Sequence, residues 1–162
     1  MDLRSVRLDD AAGINAVYNH YIRETPITFD IEPWDDGQRR SWIDAHRGGR
    51  HHVLVAVEDE RVLGYASSGP WRPKAAYERS VETSIYLAPD CVGRGIGRAL
   101  YSALFAPVEF AEIHRFLAGV TMPNDASVAL HEAFGFTRVG YFTEQGYKFG
   151  RYWDVAWFER AV

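Results

Sequence analysis

The sequence predicts a mixed α/β domain of the α+β kind, in which a mostly antiparallel central sheet carries helices on both faces. Three observations lead to this prediction. Short segments that are rich in β-branched and aromatic residues and alternate in polarity recur along the chain, as expected of strands. Two of them in the first half are joined by a tight turn, whereas later ones alternate with segments of helical periodicity. Helices packed on a sheet are a stable way to bury such a set of elements.

The first half of the chain predicts a strand, two helices and a hairpin. Asp9 or Asp10 provides an N-cap for the first helix, Pro26 ends that helix, and Gly48-Gly49 ends the second. In order, we expect a strand at residues 3–8, a helix after residue 10, an irregular segment at 25–34, a helix at 35–46, and hairpin strands at 51–57 and 61–67.

The second half predicts two strand–helix units and two final strands. Apolar residues at helical spacing, Ile96, Leu100 and Leu104, mark the first of these helices, which Pro107 interrupts or ends. Gly135 closes the second helix in the C′ position. In order, we expect strands at 81–87 and 116–121, each followed by a helix, and then strands at 136–142 and 152–158.

The composition is that of an ordinary globular protein. The 162 residues are 47% hydrophobic and 25% charged, with a formal net charge of −4, which argues against non-specific nucleic-acid binding. No repeat or linker divides the chain, so residues 1–162 predict one domain. Cys91 is the single cysteine, so no internal disulfide is expected. Because we find neither a signal peptide nor a membrane-length apolar run, we expect a cytoplasmic location without membrane contacts.

A glycine-rich turn follows the strand at 81–87 and leads directly into a helix. Its sequence is Gly93-Arg94-Gly95-Ile96-Gly97-Arg98. Glycines let the backbone approach a ligand closely, and the N–H groups and dipole of a helix N-terminus favour an anion. The turn lacks the Lys-Ser/Thr pair of a nucleotide-hydrolase phosphate loop and the spacing of a dinucleotide fingerprint. It predicts a site for another phosphate-bearing cofactor, with a purely structural turn as the alternative.

These motifs together resemble the GCN5-related N-acetyltransferase superfamily, and within it the phosphinothricin and methionine sulfoximine acetyltransferase group. The resemblance covers nearly the whole chain, although Val92 stands where the superfamily's cofactor loop usually has Gln or Arg. It implies the acyl-CoA N-acyltransferase fold and direct transfer of an acetyl group from acetyl-CoA, with no metal. The motifs that carry it are Tyr18-Asn19, Gly69-Pro70-Trp71-Arg72, Tyr77, the strand at 81–87, the glycine turn, Asn124 to Phe136, Gly146 to Gly150, and Trp153-Asp154.

The resemblance also assigns the cofactor-binding residues. The strand would pair with the pantetheine arm through its backbone, the turn would hold the pyrophosphate, and the segment from Asn124 would face the arm or the acetyl group. Core packing of Ile85 and Leu87, and helix capping by Asn124, are structural alternatives. The assigned residues are Ile85, Tyr86, Leu87, Gly93, Arg94, Gly95, Ile96, Gly97, Arg98, Asn124 and Ser127.

Glu82 and His131 are the predicted catalytic residues. Alternation along the strand places Glu82 on the same face as Ser84 and Tyr86. Acetyl transfer needs a neutral amine, whereas an amino-acid amine is mostly ammonium at pH 7, and a carboxylate can accept that proton. His131 stands where the family commonly has the Tyr that protonates the departing thiolate, and a protonated imidazole could do the same. An ion pair for Glu82 and a structural role for His131 are the alternatives.

Five residues are predicted to bind the amine substrate. Arg72 would form a bidentate pair with a substrate carboxylate, and Lys148 is a second candidate cation. The histidines at 46, 51 and 52 lack the spacing of a metal site, so we expect no metal. The predicted substrate-binding residues are Phe29, Trp71, Arg72, Lys74 and Tyr77.

Two other functions compete with this prediction. A protein or peptide N-terminal acetyltransferase is disfavoured by the acidic charge and the short chain, and a non-catalytic acyl-CoA-binding sensor would not need Glu82. Trp153, Trp157 and Phe158 on the last strand, together with the resemblance, predict a homodimer. The physiological amine stays open among phosphinothricin-like, sulfoximine, sulfone and ordinary amino-acid substrates.

Overall fold

In the computed structural model, which describes residues 1–47, 49–106 and 112–162, the chain folds into a mixed sheet with helices on both faces, and the predicted fold class is confirmed. The strands are β1 (Asp2–Ser5), β2 (Val53–Glu58), β3 (Arg61–Pro70), β4 (Ser80–Leu87), β5 (Arg115–Thr121), β6 (Thr137–Lys148) and β7 (Arg151–Ala161). The helices are α1 (Ala11–Glu24), α2 (Asp36–Ala45), α3 (Ile96–Leu104) and α4 (Asp125–Ala133). Gly48 and Pro107, which were predicted as helix ends, lie outside the described residues.

The strands of the described residues form a sheet in the order β1-β2-β3-β4-β5-β7-β6. Neighbouring strands are antiparallel except for β4 and β5, which run parallel. A parallel pair requires a crossover connection, and α3 forms part of the crossover here. The sheet is therefore mostly antiparallel, as the sequence predicted.

Helices α1 and α3 cover opposite faces of this sheet. Tyr18 of α1 packs edge-on against Tyr86 of β4, with ring centroids 5.0 Å apart. A Cβ atom on Gly97 of α3 would instead lie 3.6 Å from the side chains of Ile85 and Leu87. Because neighbouring strand residues point to opposite faces, the two helices must lie on opposite sides of β4.

A buried arginine joins α2 to α1. The side chain of Arg39 is 2% exposed, and its guanidinium carbon lies 4.2 Å from the ring centroid of Trp34 and 4.7 Å from that of Trp42. Its Nε donates a hydrogen bond of 2.9 Å to Oδ1 of Asn15 on α1. Aromatic faces stabilise a guanidinium by cation–π interaction. The charge is thus held by aromatic rings and an amide between the two helices.

Several element boundaries differ from the sequence prediction, among them the end of β1 and the final hairpin. β1 ends at Ser5 rather than at residue 8, because a 3-10 turn at Leu8–Asp10 follows it. The final hairpin is longer than predicted and turns at Phe149-Gly150, with φ angles of +53° and +74°. Two central residues with positive φ match the twist of a hairpin. The sequence did not indicate this turn, because Phe is an unusual residue in the left-handed region.

β4 and β5 stay paired only at their beginnings. Among the described residues their parallel ladder covers three residue pairs and ends at Glu82–Leu117. Both strands nevertheless continue, β4 to Leu87 and β5 to Thr121. On its other side, β4 stays paired with β3 as far as Leu87. The two parallel strands therefore separate after Glu82 and leave an opening in the sheet.

Candidate active site

The opening between β4 and β5 contains two adjoining cavities. The outer cavity has a volume of about 220 Å³ and the inner one of about 40 Å³. Both are lined by Ile27, Ile85, Tyr86, Asn124 and Ser127. The outer cavity is otherwise lined by Tyr21, Leu87, Val92, Ala126 and Leu130, and the inner one by Thr83, Ser84, Tyr101, Gly119, Val120, Thr121 and His131.

The glycine turn lies next to the outer cavity, which Val92 lines. Gly93 and Gly95 have φ angles of +81° and +79°, a backbone conformation that favours glycine, and the space where each Cβ would be is open. Helix α3 begins at the buried Ile96, so the N–H groups of its first turn lack intrahelical acceptors. The turn therefore offers backbone donors and room for an anion, which fits the pyrophosphate of coenzyme A.

The remaining residues of the turn differ from one another in role. Gly97 allows α3 to approach α4, because a Cβ there would lie 3.4 Å from Leu130. The guanidinium of Arg94 donates to Oε2 of Glu58 at 3.3 Å, whereas Arg98 is exposed. Arg94 keeps further guanidinium donors beyond this exposed ion pair, so both arginines can still meet a phosphate.

Asn124 and Ser127 line both cavities, as expected of residues that face a ligand. Asn124 also caps α4, because its Oδ1 accepts a hydrogen bond of 3.2 Å from the backbone N–H of Ser127. This cap uses the amide oxygen alone, and the NH₂ group of Asn124 has two further donors. Capping and ligand binding are therefore compatible at this position.

His131 lies beside the inner cavity, is 3% exposed, and has a partner at each ring nitrogen. Its Nδ1 donates to the carbonyl oxygen of Ser127 at 2.7 Å, which fixes the proton on that nitrogen. When the ring is neutral, its Nε2 accepts the hydroxyl proton of Tyr101 at 3.0 Å. Burial lowers the pKa of His131, so the ring is neutral near pH 7.

Tyr101 is a candidate site residue that the sequence analysis missed. It is fully buried, it lines the inner cavity, and burial raises its pKa well above that of an exposed tyrosine. It follows Leu100 on the apolar face of α3, so the pattern favoured simple core packing. The available signal was chemical, because a buried phenol needs a hydrogen-bond partner.

Glu82 is half-buried and belongs to the last pair of the β4–β5 ladder. The residue that pairs with it on β3 is Gly69, which has no side chain to cover the carboxyl group. Burial raises the pKa of Glu82, and the positive charge of Arg72 offsets part of that rise. Thr83, the next residue along β4, already lines the inner cavity. Glu82 itself lines neither cavity, but Ser84 and Tyr86, on the same face of β4, line the inner one. A half-buried carboxyl group with a raised pKa in this position is a candidate proton acceptor.

Three of the predicted substrate-binding residues lie together near Glu82. The guanidinium carbon of Arg72 is 5.0 Å from the ring centroid of Trp71, and Tyr77 packs edge-on against the same ring at 5.0 Å. Arg72 is exposed and close enough to Glu82 to affect its pKa. Lys74 is exposed at the start of the short 3-10 turn that holds Tyr77.

Phe29 is not among the residues that line the two cavities. It lies in the irregular segment at 25–34, and its ring fills the space beside Gly146 of β6. Lys148, the second candidate cation, is 4% exposed and donates from Nζ to the carbonyl oxygen of Thr28 at 2.8 Å. Its ammonium group is thus engaged by the backbone, whereas Arg72 faces solvent.

The part of the chain that the structure describes offers neither a metal-binding cluster nor a membrane-spanning helix. There, no group of three or more His, Cys, Asp and Glu side chains is arranged to hold a metal ion. Among the described helices, none combines the length and the apolar character that crossing a bilayer requires. A cytoplasmic location stays a prediction.

Comparison with known proteins agrees with the geometry of the site. The model of the acetyltransferase (GNAT) domain family matches residues 3–157. A phosphinothricin N-acetyltransferase of Streptomyces coelicolor is 50% identical over 157 residues, which cover 95% of this chain and 92% of that protein. An L-methionine sulfoximine/L-methionine sulfone acetyltransferase of Salmonella typhimurium is 34% identical over 98% of this chain and 93% of that protein.

A solved structure shows the same fold with a ligand bound. It is a GNAT superfamily phosphinothricin acetyltransferase from Sinorhizobium meliloti in complex with acetyl-CoA. Its TM-score to this chain is 0.92 at 29% identity, and the match covers 99% of this chain and 88% of that one. The chain therefore belongs to the GNAT acetyltransferase family, as the resemblance predicted, and is an N-acetyltransferase that takes its acetyl group from acetyl-CoA.

Proposed function

We propose that this enzyme acetylates the amine of a small amino-acid-like substrate of the phosphinothricin or methionine sulfoximine type, by direct transfer from acetyl-CoA. The observation that carries the proposal is the position of Glu82, a half-buried carboxyl group where β4 and β5 separate, close to the exposed Arg72. The names of the relatives support the substrate class.

The residues around the opening fit acetyl-CoA. The glycine turn would hold the pyrophosphate, and the edge of β4 beyond Glu82 would pair with the pantetheine arm, with Asn124 and Ser127 beside it. When bound, acetyl-CoA supplies a thioester with an electrophilic carbonyl carbon. Backbone N–H groups near Leu87 are candidate donors to the carbonyl oxygen as it gains negative charge.

Glu82 acts as the general base in this proposal. The amine arrives mostly as ammonium near pH 7, and the carboxylate accepts its proton directly or through a water molecule. The raised pKa of Glu82 makes it a stronger base than an exposed carboxylate. Arg72 pairs with the carboxylate of the substrate and so orients the amine toward the thioester.

His131 assists the departure of the thiolate as part of a pair with Tyr101. In its neutral form the ring of His131 accepts the hydroxyl proton of Tyr101 at the inner cavity, and that hydroxyl rotates away from Nε2 to donate a hydrogen bond to the departing sulfur. A second proton, on Nε2, would instead make His131 itself the acid. Burial favours the neutral form.

Replacing Glu82 by Gln tests the base, because the change removes the carboxylate and nearly keeps its shape. We expect kcat with an amino-acid acceptor at pH 7 to fall about 10²- to 10⁴-fold, with partial recovery at higher pH as the free amine increases. Because burial raises the pKa of Glu82, wild-type activity should fall on the acid side at a higher pH than an exposed carboxyl group would allow. Thiol release from acetyl-CoA is the measurement.

The control for this test is Glu78→Gln, the same chemical change at an exposed glutamate, which should keep wild-type turnover. The acceptors are phosphinothricin, methionine sulfone and a short peptide with a free N-terminus. Preference for the peptide would favour an N-terminal acetyltransferase, and acetyl-CoA binding without turnover of any acceptor would indicate a sensor. Wild-type turnover by Glu82→Gln from pH 6 to 9 would make Glu82 a structural charge.

The protonation of His131 can be read from the ¹⁵N chemical shifts of its ring. Because burial lowers its pKa, we expect a neutral ring protonated on Nδ1 at pH 6.5, where an exposed histidine is about half charged. His131→Gln identifies the resonances by their loss. A doubly protonated ring at pH 6.5 would contradict the neutral form and assign the acid role to His131 itself.

Arg72→Ala should weaken binding of acceptors that have a carboxylate. We expect the KM of such an acceptor to rise about ten- to a hundredfold, the loss of one charge-assisted hydrogen-bonded pair. An otherwise identical amine without the carboxylate should be turned over slowly and at the same rate by both enzymes. Steady-state kinetics of both acceptors decide this, with Arg79→Ala, an exposed arginine nearby, as the control. Equal losses on both acceptors would show that Arg72 does not bind the carboxylate.

We also propose a homodimer that forms through β6. Phe158 was predicted at an interface, but it is 1% exposed and packs in the core, so that prediction was wrong for this residue. Trp153 and Trp157 are partly buried. β6 is an edge strand, which offers unpaired backbone groups to a second chain. The exposed apolar side chains of its hairpin are Val139, Tyr141, Phe142, Tyr147, Phe149 and Tyr152.

Sedimentation equilibrium tests this dimer. Wild type should sediment at twice the monomer mass of 18.4 kDa, and a variant with both Tyr147→Ser and Tyr152→Ser should be monomeric, because these contacting rings supply much of the apolar surface. Ile31→Ser, at an exposed residue outside the hairpin, should stay dimeric. A monomeric wild type, or a dimeric double variant, would refute the proposed interface.

A further inference from the structure

The last residue of β6 is a buried lysine, Lys148, that has no role in the proposed mechanism. Lys148 is 4% exposed, although lysine is seldom buried without a partner. Its Nζ donates a hydrogen bond of 2.8 Å to the carbonyl oxygen of Thr28. Burial lowers the pKa of Lys148, and the carboxylate of Asp30 acts in the opposite direction. The ammonium group of Lys148 is therefore a charged donor that packs against the irregular segment at 25–34.

That segment is anchored to its surroundings by side chains. The hydroxyl of Tyr18 and Nε1 of Trp34 both donate to Oδ2 of Asp30, at 2.7 and 2.9 Å. The hydroxyl of Thr121 donates to the carbonyl oxygen of Ile27 at 3.3 Å. The segment belongs to no helix or strand, so side chains satisfy backbone groups that a ladder would otherwise satisfy.

The same segment forms a wall of the active site. Ile27 lines both cavities. The hydroxyl of Thr28 lies 2.9 Å from that of Tyr18 and also hydrogen-bonds the phenol of Tyr86, whose pKa is raised to about 12, mainly by burial. Tyr86 is on the same face of β4 as Glu82. A shift of Thr28 would therefore displace the side chain of Tyr86, which lies on the same face of β4 as the proposed base Glu82.

Gly146 supports the next residue of the segment. It lies two residues before Lys148 and therefore on the same face of β6. A Cβ atom at Gly146 would run directly into the ring of Phe29. One face of β6 thus positions two consecutive residues. Lys148 donates a hydrogen bond to Thr28, and Gly146, which has no side chain, leaves room for the ring of Phe29.

We propose that Lys148 is a positioning residue for the acceptor: by holding the carbonyl oxygen of Thr28, it fixes Phe29 as the wall against which the side chain of the amino-acid acceptor packs. Gly146 completes this support. The inference rests on the proposed function, since it needs an amino-acid acceptor. Lys148 does not touch the reacting atoms, so its loss should change acceptor binding more than the chemical step.

The test compares Lys148→Met, Lys148→Arg and Gly146→Ala with wild type in steady-state acetyl transfer, together with thermal unfolding. In Lys148→Met we expect the acceptor KM to rise at least about tenfold, with kcat and the KM of acetyl-CoA changed less than about threefold. Lys148→Arg keeps a cationic donor and should restore most of the acceptor KM. Gly146→Ala should raise the acceptor KM as well, because it displaces Phe29.

Val55→Ala, a core change in β2, is the control for lost stability and should keep the acceptor KM. An unchanged acceptor KM in folded Lys148→Met, or an equal rise in Val55→Ala, would overturn the inference. If the Lys148 variants do not fold, Gly146→Ala decides, and an unchanged acceptor KM there overturns it. Failure of wild type to acetylate any acceptor would instead refute the proposed function.

Discussion

The early end of the parallel ladder between β4 and β5 is the constraint on which the site depends. Backbone N–H and C=O groups inside a protein need partners, and beyond Glu82–Leu117 these strands no longer supply them to each other. An extended ligand arm can supply them in the manner of an added strand. The same separation creates the cavities and leaves Glu82 at the last paired position. There the sheet still holds the backbone firmly, while the next residue already lines a cavity.

The buried polar groups on the two faces of β4 differ in charge. On the α3 side, Tyr101 and His131 are buried as neutral groups that satisfy each other. On the α1 side, charged groups are wholly or partly buried, among them Glu82 in the strand, Arg39 among aromatic rings, and Lys148 against a carbonyl oxygen. Buried charges are tolerated only with such partners. This division agrees with the proposed mechanism, in which Glu82 accepts the proton of the amine on one face of β4 and the sulfur departs on the other.

The parts of the site that the sequence predicted are those encoded within a few consecutive residues. The strand with Glu82, the glycine turn and the cap at Asn124 each depend on a local pattern. The parts it missed depend on tertiary contacts. Lys148 meets Thr28 across 120 residues, and no local pattern distinguishes it from a solvated lysine. The resemblance assigned Arg94 to the phosphate, and the sequence did not indicate that its guanidinium also contacts Glu58, whose position depends on the β2–β3 hairpin.

His131 shows why a sequence position and a chemical role are different things. The family commonly has Tyr at this position, so the resemblance transferred the role of that phenol to an imidazole. In the structure a phenol still reaches the inner cavity, but Tyr101 of α3 supplies it, and the imidazole of α4 accepts its proton. The carbonyl oxygen of Ser127 fixes a ring proton on Nδ1, so Nε2 of the neutral ring is an acceptor. The cavity thus keeps a hydroxyl group, and the histidine is the residue that orients it.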